Sequence, residues 1–371
     1  MKIIIAYASA GAGHRSAAEA LNNYFKENCP THDLKIIDTL EKTNPFFKNL
    51  YSYGYPFLVN HCLWLWRFCF WITSLKSLKG INKTLASFIN RLNAKGFADF
   101  LIRENADFII STHFLPSQIS ACLKKNNKLN SKLITVITDF GIHPFWVSNG
   151  TDMYIVASDS SKEQLMLEGT EENIIQDVGI PIDEKFLKEY DKSALFIKFG
   201  LEPNKFTVLI STGSFGIGQI EKAIDLLYKE VQILVVCANN KILYSRLQNR
   251  NYPQVKVFGF IANMQELMAV SDIIIAKPGG VTISESLAME LLPIFITAIP
   301  GQESENVKIL EKKSIGLNIK DITLIKDIVL DFKNYPEKLK SIKERISRIK
   351  KPFAARELCN VICKSGSRAA C

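Results

Sequence analysis

At 371 residues the chain exceeds the size at which one hydrophobic core usually stops growing, so two domains are expected. A composition of 47% hydrophobic and 22% charged residues excludes a disordered or collagen-like polymer, and the absence of a fixed-period repeat excludes a solenoid. The net charge of +9 asks for an anionic partner, whether nucleic acid, membrane surface or phosphorylated ligand.

In chain order, a short apolar run at 3–6 enters a glycine turn, Ser9-Ala10-Gly11-Ala12-Gly13-His14-Arg15-Ser16. This start lacks the basic leader and long apolar stretch of a signal peptide, so a cytoplasmic location is expected. Ser16 and Glu19 fit a capping box and predict a helix beginning at Ser16. Gly11 and Gly13 would let backbone N–H groups approach an anion, and His14 within the turn adds a titratable group. The spacing matches neither a dinucleotide fingerprint nor a Walker loop.

Further β-branched runs at 34–37, 108–111, 133–138 and 153–156 alternate with helical patterns. The alternation restarts at 207–211, 233–237, 255–258, 273–276 and 293–297. Near-continuous apolar strands separated by helices predict parallel sheets covered on both faces. The restart predicts two doubly wound domains joined between Gly179 and Tyr190. The expected division is residues 1–185, 186–345 and a basic C-terminal helix, 346–371, packing back on the first domain. Ligands then belong beyond the carboxyl ends of the strands.

Between Lys42 and Ala98 lie eight basic residues and no Asp or Glu, together with Trp64, Trp66 and Trp71. The apolar stretch from Cys62 to Leu75 contains Arg67 and is too short to span a bilayer. A basic, aromatic insertion fits an element dipping into an anionic lipid surface. The structural alternative places these tryptophans in the core. Nucleic acid fits less well, because aromatics would then be interleaved along a groove.

Several strand-end loops carry polar groups. Asp139, His143, Pro144 and Trp146 share the loop after 133–138, offering acid–base groups and an aromatic wall; the alternative is a polar turn with a half-buried Trp. Ser211 to Gly218, containing Gly213, Ser214, Phe215 and Gly216, is a possible phosphate cradle. Lys277-Pro278-Gly279-Gly280-Val281-Thr282-Ile283-Ser284-Glu285 suits a pyrophosphate at a helix start. Thr282 and Glu285 also read as a capping box; the functional alternative is a Glu285 carboxylate accepting two ribose hydroxyls. Gln302, Glu303 and Asn306 suit sugar hydroxyls, or form a solvated loop. The eight cysteines show no CxxC pair; Cys359 and Cys363 are four apart with no accompanying His or second pair in sequence, so no metal site is expected.

The succession AGAGHRSAAEA, TDFGIHPFW, TGSFGIG, KPGGVTISE and PGQESEN resembles the monogalactosyldiacylglycerol synthases and processive diacylglycerol glucosyltransferases, over nearly the whole chain. The resemblance implies a GT-B fold, α/β, with two Rossmann-like domains facing each other across a cleft and closing on the donor. It implies an inverting hexosyltransferase using UDP-glucose or UDP-galactose, a diacylglycerol-type acceptor, an anionic membrane surface, no nucleic acid and no cofactor. Peripheral attachment to the cytoplasmic face of the cell membrane follows. Gly213, Ser214, Phe215, Gly216, Gly279, Gly280 and Thr282 would line the pyrophosphate, Glu285 the ribose, and Gln302, Glu303 and Asn306 the hexose. Phe260 and Ile261 would flank uracil. Gly13, His14 and the loop from Asp139 to Trp146 would form the acceptor side. His14 and Asp139 stand level as general base, with His143 behind them. Two departures from the family pattern are Ser9, where plant relatives carry aspartate, and Ala238, where relatives carry glycine. Alternatives are another lipid-linked acceptor, a UDP-sugar epimerase, and a lipid-surface binding protein without catalysis.

Overall fold

The structure is a computed structural model and describes residues 1–54, 57–58, 61–75, 77, 79–211, 219–296 and 298–367. It divides into two compact units. Unit 1 comprises Met1–Asp183, Ile299–Gln302 and Lys351–Cys371; unit 2 comprises Glu184–Ala298 and Glu303–Lys350.

Unit 1 holds a parallel sheet of β1 (Lys2–Tyr7), β2 (Asp33–Asp38), β3 (Phe108–Ser111), β4 (Lys132–Val136), β5 (Met153–Ile155) and β6 (Ile175–Gln176), in the order β2-β1-β3-β4-β5-β6. Alternation along β1 explains its two-sided burial. Ile4 and Ala6 enter a core with Leu40, Phe97, Leu101 and Leu115. Ile3 and Ile5 face Leu21, Phe25, Leu358 and Ile362. The last two belong to the C-terminal helix, Ala354–Ser367. Just before it, Lys351 pairs with Asp177 (2.6 Å) and Asp159 (3.0 Å).

Unit 2 repeats the design with β7 (Thr207–Ser211), β8 (Gln232–Val236), β9 (Val255–Phe258), β10 (Ile273–Ala276), β11 (Leu292–Phe295) and β12 (Leu317–Asn318). Their order is β12-β11-β10-β7-β8-β9, which makes β7 and β10 the point where the winding reverses. In unit 1 the reversal falls at β1 and β3. In both units the paired strands end level: Ala6 with Ser111, and Ser211 with Ala276.

Of the helices, α1 (Ala12–Asn28), α2 (Leu63–Ser74), α3 (Lys79–Asn93), α4 (Phe114–Lys125), α5 (Gly280–Ala288), α6 (Gln302–Lys312) and α7 (Ala354–Ser367) matter below. The capping boxes expected at Ser16 and Thr282 are not formed. Both residues lie inside helices that start earlier, on Gly11 and Gly279, with no side-chain cap. Glu19 instead pairs with Arg15 one turn back, at 2.7 Å. Gly13 is likewise helical, in the first turn of α1.

Candidate active site

At the winding reversal of unit 1, the turn after β1 and the start of α1 bring His14 beside Thr112, which follows β3, and Thr138, which follows β4. His14 Nδ1 lies 3.0 Å from the Thr112 carbonyl oxygen and 2.7 Å from Thr138 Oγ1. Thr112 Oγ1 returns a hydrogen bond to the His14 carbonyl at 2.8 Å. A carbonyl oxygen only accepts, so the neutral ring carries its proton on Nδ1 and its lone pair on Nε2. Burial lowers the His14 pKa to about 4 against a smaller opposing effect of the Thr112 hydrogen bond. The ring is therefore neutral at pH 7.

His113 is a member of this cluster that the sequence did not single out. Its ring meets that of His14 edge-on at 4.5 Å and that of Phe114 at 4.1 Å. Its Nδ1 accepts from the Leu115 N–H at 3.0 Å, capping α4. Burial, with the neighbouring His14 second, holds His113 well below the ordinary histidine value. The only signal in sequence was its position at the end of a buried strand.

His143 also uses Nδ1 as a cap, accepting from the Phe145 N–H at 3.2 Å. This leaves its proton on Nε2, 3.5 Å from Thr73 Oγ1. Burial lowers its pKa to about 4. Of the three rings, His14 is the one whose Nε2 is left to accept a proton. Asp139 is half-buried on the same loop, and Pro144 opens the short 3-10 turn Pro144–Trp146. Trp146 is 2% exposed in a core with Tyr154 and Leu165. Its ring stands 6.1 Å from His14, forming a wall behind the histidine. Ser9 is held by Asp38: its N–H donates to Oδ1 at 3.2 Å, and its hydroxyl donates to Oδ2. A carboxylate therefore stands beside the turn, brought by β2.

At the reversal of unit 2, the loop after β10 runs into α5. Gly279 is half-buried with φ −72°, and a Cβ there would meet only Thr282 Oγ1 at 4.0 Å. Gly280 and Thr282 lie in the first turn, and Glu285, half-buried, is one turn further on. Two side chains of α6 fix the loop. Asn306, fully buried, donates to the Pro278 carbonyl at 2.9 Å, and Glu303 pairs with Lys277 at 2.9 Å. Lys277 and Pro278 are thus joined within unit 2 to Glu303 and Asn306, which are distant in sequence. Gln302 groups with unit 1 and donates to the Gly141 carbonyl. Phe260 is 75% exposed after β9, with Ile261 half-buried beside it. Gly213, Ser214, Phe215 and Gly216 lie outside the described residues. Ala238 takes φ 48°, the left-handed region that favours glycine, which explains why glycine suits that position.

The aromatic insertion splits in two. On α2, Trp64 (71% exposed), Phe68 and Trp71 recur at i, i+4 and i+7 and face solvent with Arg67 exposed beside them. On α3, Ile81, Leu85, Phe88 and Leu92 form a second exposed apolar stripe. Trp66, between Trp64 and Trp71 on α2, is half-buried, and its indole N–H donates to the Pro300 carbonyl at 2.9 Å. No helix among the described residues is long and apolar enough to cross a membrane.

The cysteine reading also changes. Cys359 and Cys363 do have companions: Cys29 Sγ lies 2.7 Å from Cys359 Sγ and 3.6 Å from Cys363 Sγ, and His32 Nε2 lies 3.7 Å from Cys363 Sγ. Ligand spacing was invisible because the halves stand 330 residues apart.

Residues 14–182 match the family model for monogalactosyldiacylglycerol (MGDG) synthase, and residues 207–357 match that for the glycosyltransferase family 28 C-terminal domain. A protein of Staphylococcus haemolyticus named processive diacylglycerol beta-glucosyltransferase is 30% identical, over 96% of this chain and 91% of its own. Another of that name, from Bacillus cereus, is 30% identical over 86% of this chain and 82% of its own. Among solved structures, Anabaena Alr3699/HepE in complex with UDP superposes with a TM-score of 0.59 at 16% identity, covering 98% of this chain and 100% of that one. At that identity the likeness speaks for the fold alone, here the pair of Rossmann-like domains of GT-B proteins.

Proposed function

The chain belongs to the family of processive diacylglycerol beta-glucosyltransferases, and we propose that it transfers glucose from UDP-glucose to diacylglycerol, or to an already glucosylated diacylglycerol, with inversion at the anomeric carbon. The observation carrying the chemistry is the His14 tautomer: Nδ1–H held by the Thr112 carbonyl, with a lone pair on Nε2. The acceptor hydroxyl gives its proton to Nε2 as its oxygen bonds to C1 of the sugar. The bond from C1 to the diphosphate oxygen breaks, and UDP departs with that electron pair. His14 stands ahead of Asp139 and His143 in this reading, since His143 has its Nδ1 lone pair engaged by Phe145. His113 and Thr138 act as positioning residues.

Unit 2 is the donor side. The backbone N–H groups opening α5 after Gly279 would meet the developing negative charge of the leaving diphosphate. Gly280 and Thr282 line it, Glu285 accepts the ribose hydroxyls, and Phe260 with Ile261 flanks the base. Glu303 contacts the hexose, while Asn306 fixes the Pro278 carbonyl and so acts by position. Glucose is favoured over galactose by the names of the sequence relatives. The apolar faces of α2 and α3, in a segment of eight basic residues without an acid, support contact with an anionic lipid surface. An epimerase would have no use for these faces and would turn over UDP-sugar without an acceptor.

The deciding experiment incubates the protein with UDP-glucose or UDP-galactose and vesicles of anionic lipid containing diacylglycerol, with products resolved by mass. Mono- and diglucosyl lipid from UDP-glucose supports the proposal. Sugar isomerisation without glycolipid, or galactolipid alone, contradicts it.

A further inference from the structure

At the end of α1 opposite the strand-end turn of unit 1, the helix C-terminus and the last helix bring three cysteines together, with a histidine beside one of them. Cys29 ends α1 and His32 follows three residues later in the turn, where the His32 N–H donates to the Cys29 carbonyl at 3.1 Å. Cys359 and Cys363 are one turn apart on α7, on the face that packs against Phe25 and Leu21. The three sulfurs all lie within 4.8 Å of one another. We propose that Cys29, Cys359, Cys363 and His32 form a structural site for one soft divalent cation, zinc, that fastens the final helix to the N-terminal sheet layer.

Four points carry this. First, the local spacings, Cys-x-x-His in a turn and Cys-x-x-x-Cys on a helix, each place two ligands on one side of their own element. Second, with zinc–sulfur bonds of about 2.3 Å, the edges of a tetrahedral thiolate site are about 3.8 Å. The separations of 3.6 and 4.0 Å between sulfurs and 3.7 Å from Cys363 to the imidazole fall on that edge length. The Cys29–Cys359 pair, at 2.7 Å, must open by about one ångström, and the His32 imidazole, which stands near Cys363 but outside the 4.8 Å group of the three sulfurs, must turn in to complete the set. Third, His32 Nδ1 is buried with no hydrogen-bond partner among the described residues. Fourth, a tethering role has a physical purpose. The helix is the last element of unit 1, and it returns to that unit after the whole of unit 2. Its apolar face, Leu358 and Ile362, packs into the core of unit 1, and a link through the metal between residues 29 and 359 would close the unit.

The rival occupant of the same geometry is a Cys29–Cys359 disulfide, and the test separates the two. The full-length chain, without a histidine tag, is purified under reductant and free of chelator. Its metal content is then measured by inductively coupled plasma mass spectrometry. The stripped protein is titrated with Co2+, whose thiolate charge-transfer band reports coordination by sulfur. About one zinc per chain is expected, with a Co2+ band that zinc abolishes. Cys363→Ser, at a half-buried position that tolerates the change, should lose stoichiometric binding while circular dichroism stays that of the parent. His32→Ala should weaken zinc at least tenfold. Less than about 0.2 zinc per folded chain after reconstitution would overturn the proposal. So would undiminished zinc in Cys363→Ser, or an unreduced chain in which Cys29 and Cys359 resist alkylation until a disulfide is reduced.

Discussion

The two strand-end turns occupy equivalent places in their units. Each follows a strand at the point where the sheet's winding reverses, and each enters a helix that begins on a glycine without a side-chain cap. Their chemistry differs. In unit 1 the turn is walled by rings, with His14, His113 and Trp146 within 6.3 Å of one another. Burial there keeps the imidazoles neutral. In unit 2 the turn is fixed by an ion pair and a buried amide, Lys277–Glu303 and Asn306–Pro278. On the proposed reading one site holds and moves a proton and the other holds a charged, hydroxylated ligand. The same backbone device would then serve opposite electrostatic purposes, with the side chains delivered by neighbouring elements deciding which.

The largest expected effect lies on the proton side. His14→Ala should lower glucosyl turnover by roughly two to four powers of ten, as for loss of a general base. Turnover within about threefold of the parent would move the base to Asp139 and erase the contrast.

Next is the donor side. Glu285→Ala should weaken UDP about tenfold to a hundredfold, the range for losing hydrogen bonds to a charged acceptor. Glu285 stands inside α5 and not at its start, so the variant should stay folded, with UDP affinity falling far more than stability. A stable mutant with parental UDP affinity would remove Glu285 from the ribose.

A smaller effect concerns the solvent-facing helix α2. Trp64→Ser, Phe68→Ser and Trp71→Ser combined should reduce co-sedimentation with anionic vesicles at least about tenfold and leave UDP binding alone. Trp66 is left in place, because its indole holds Pro300. Salt should weaken the parent's vesicle binding without eliminating it, since apolar insertion is not screened. A triple variant that binds vesicles normally would place the lipid contact elsewhere.

The smallest effect is one of pH. All five histidines fall in unit 1. His14 and His143 titrate near 4 in the folded state, and burial also holds His113 low. The unfolded chain takes up protons on these rings near pH 6.5, so it binds more protons than the folded chain between about 6.5 and 4. Their contribution is complete above pH 6.5 and is lost as pH falls through this window. Hydrogen exchange at pH 5 should therefore show protection falling first in β1, β3 and β4, with unit 2 lagging. Melting should drop by about 5–10 °C from pH 7 to 5. Equal loss in both units would contradict the assignment.

Much of this was legible in sequence because central parallel strands are buried on both faces and read as unbroken apolar runs, such as Ile3-Ile4-Ile5 and Ile273-Ile274-Ile275. The edge strands Ile175–Gln176 and Leu317–Asn318 were not, since two residues carry no period. Helix starts were misplaced at Ser16 and Thr282 because the Ser/Thr-x-x-Glu pattern also occurs inside helices, and only the tertiary structure shows glycine opening them. The glycine turns themselves were legible; His113 was not, because a histidine capping a helix after a buried strand looks like any other polar residue at a strand end. Trp66 and the Cys29–His32–Cys359–Cys363 cluster depend on contacts across more than 200 residues of chain, which no local pattern encodes.

Proton transfer and donor binding are assigned here to different units. Calorimetric titration of UDP into His14→Ala tests this assignment most directly. The dissociation constant should lie within about twofold of the parent's, in a protein that has lost its transferase activity. UDP affinity falling in step with turnover would place His14 in donor binding and contradict the division of labour.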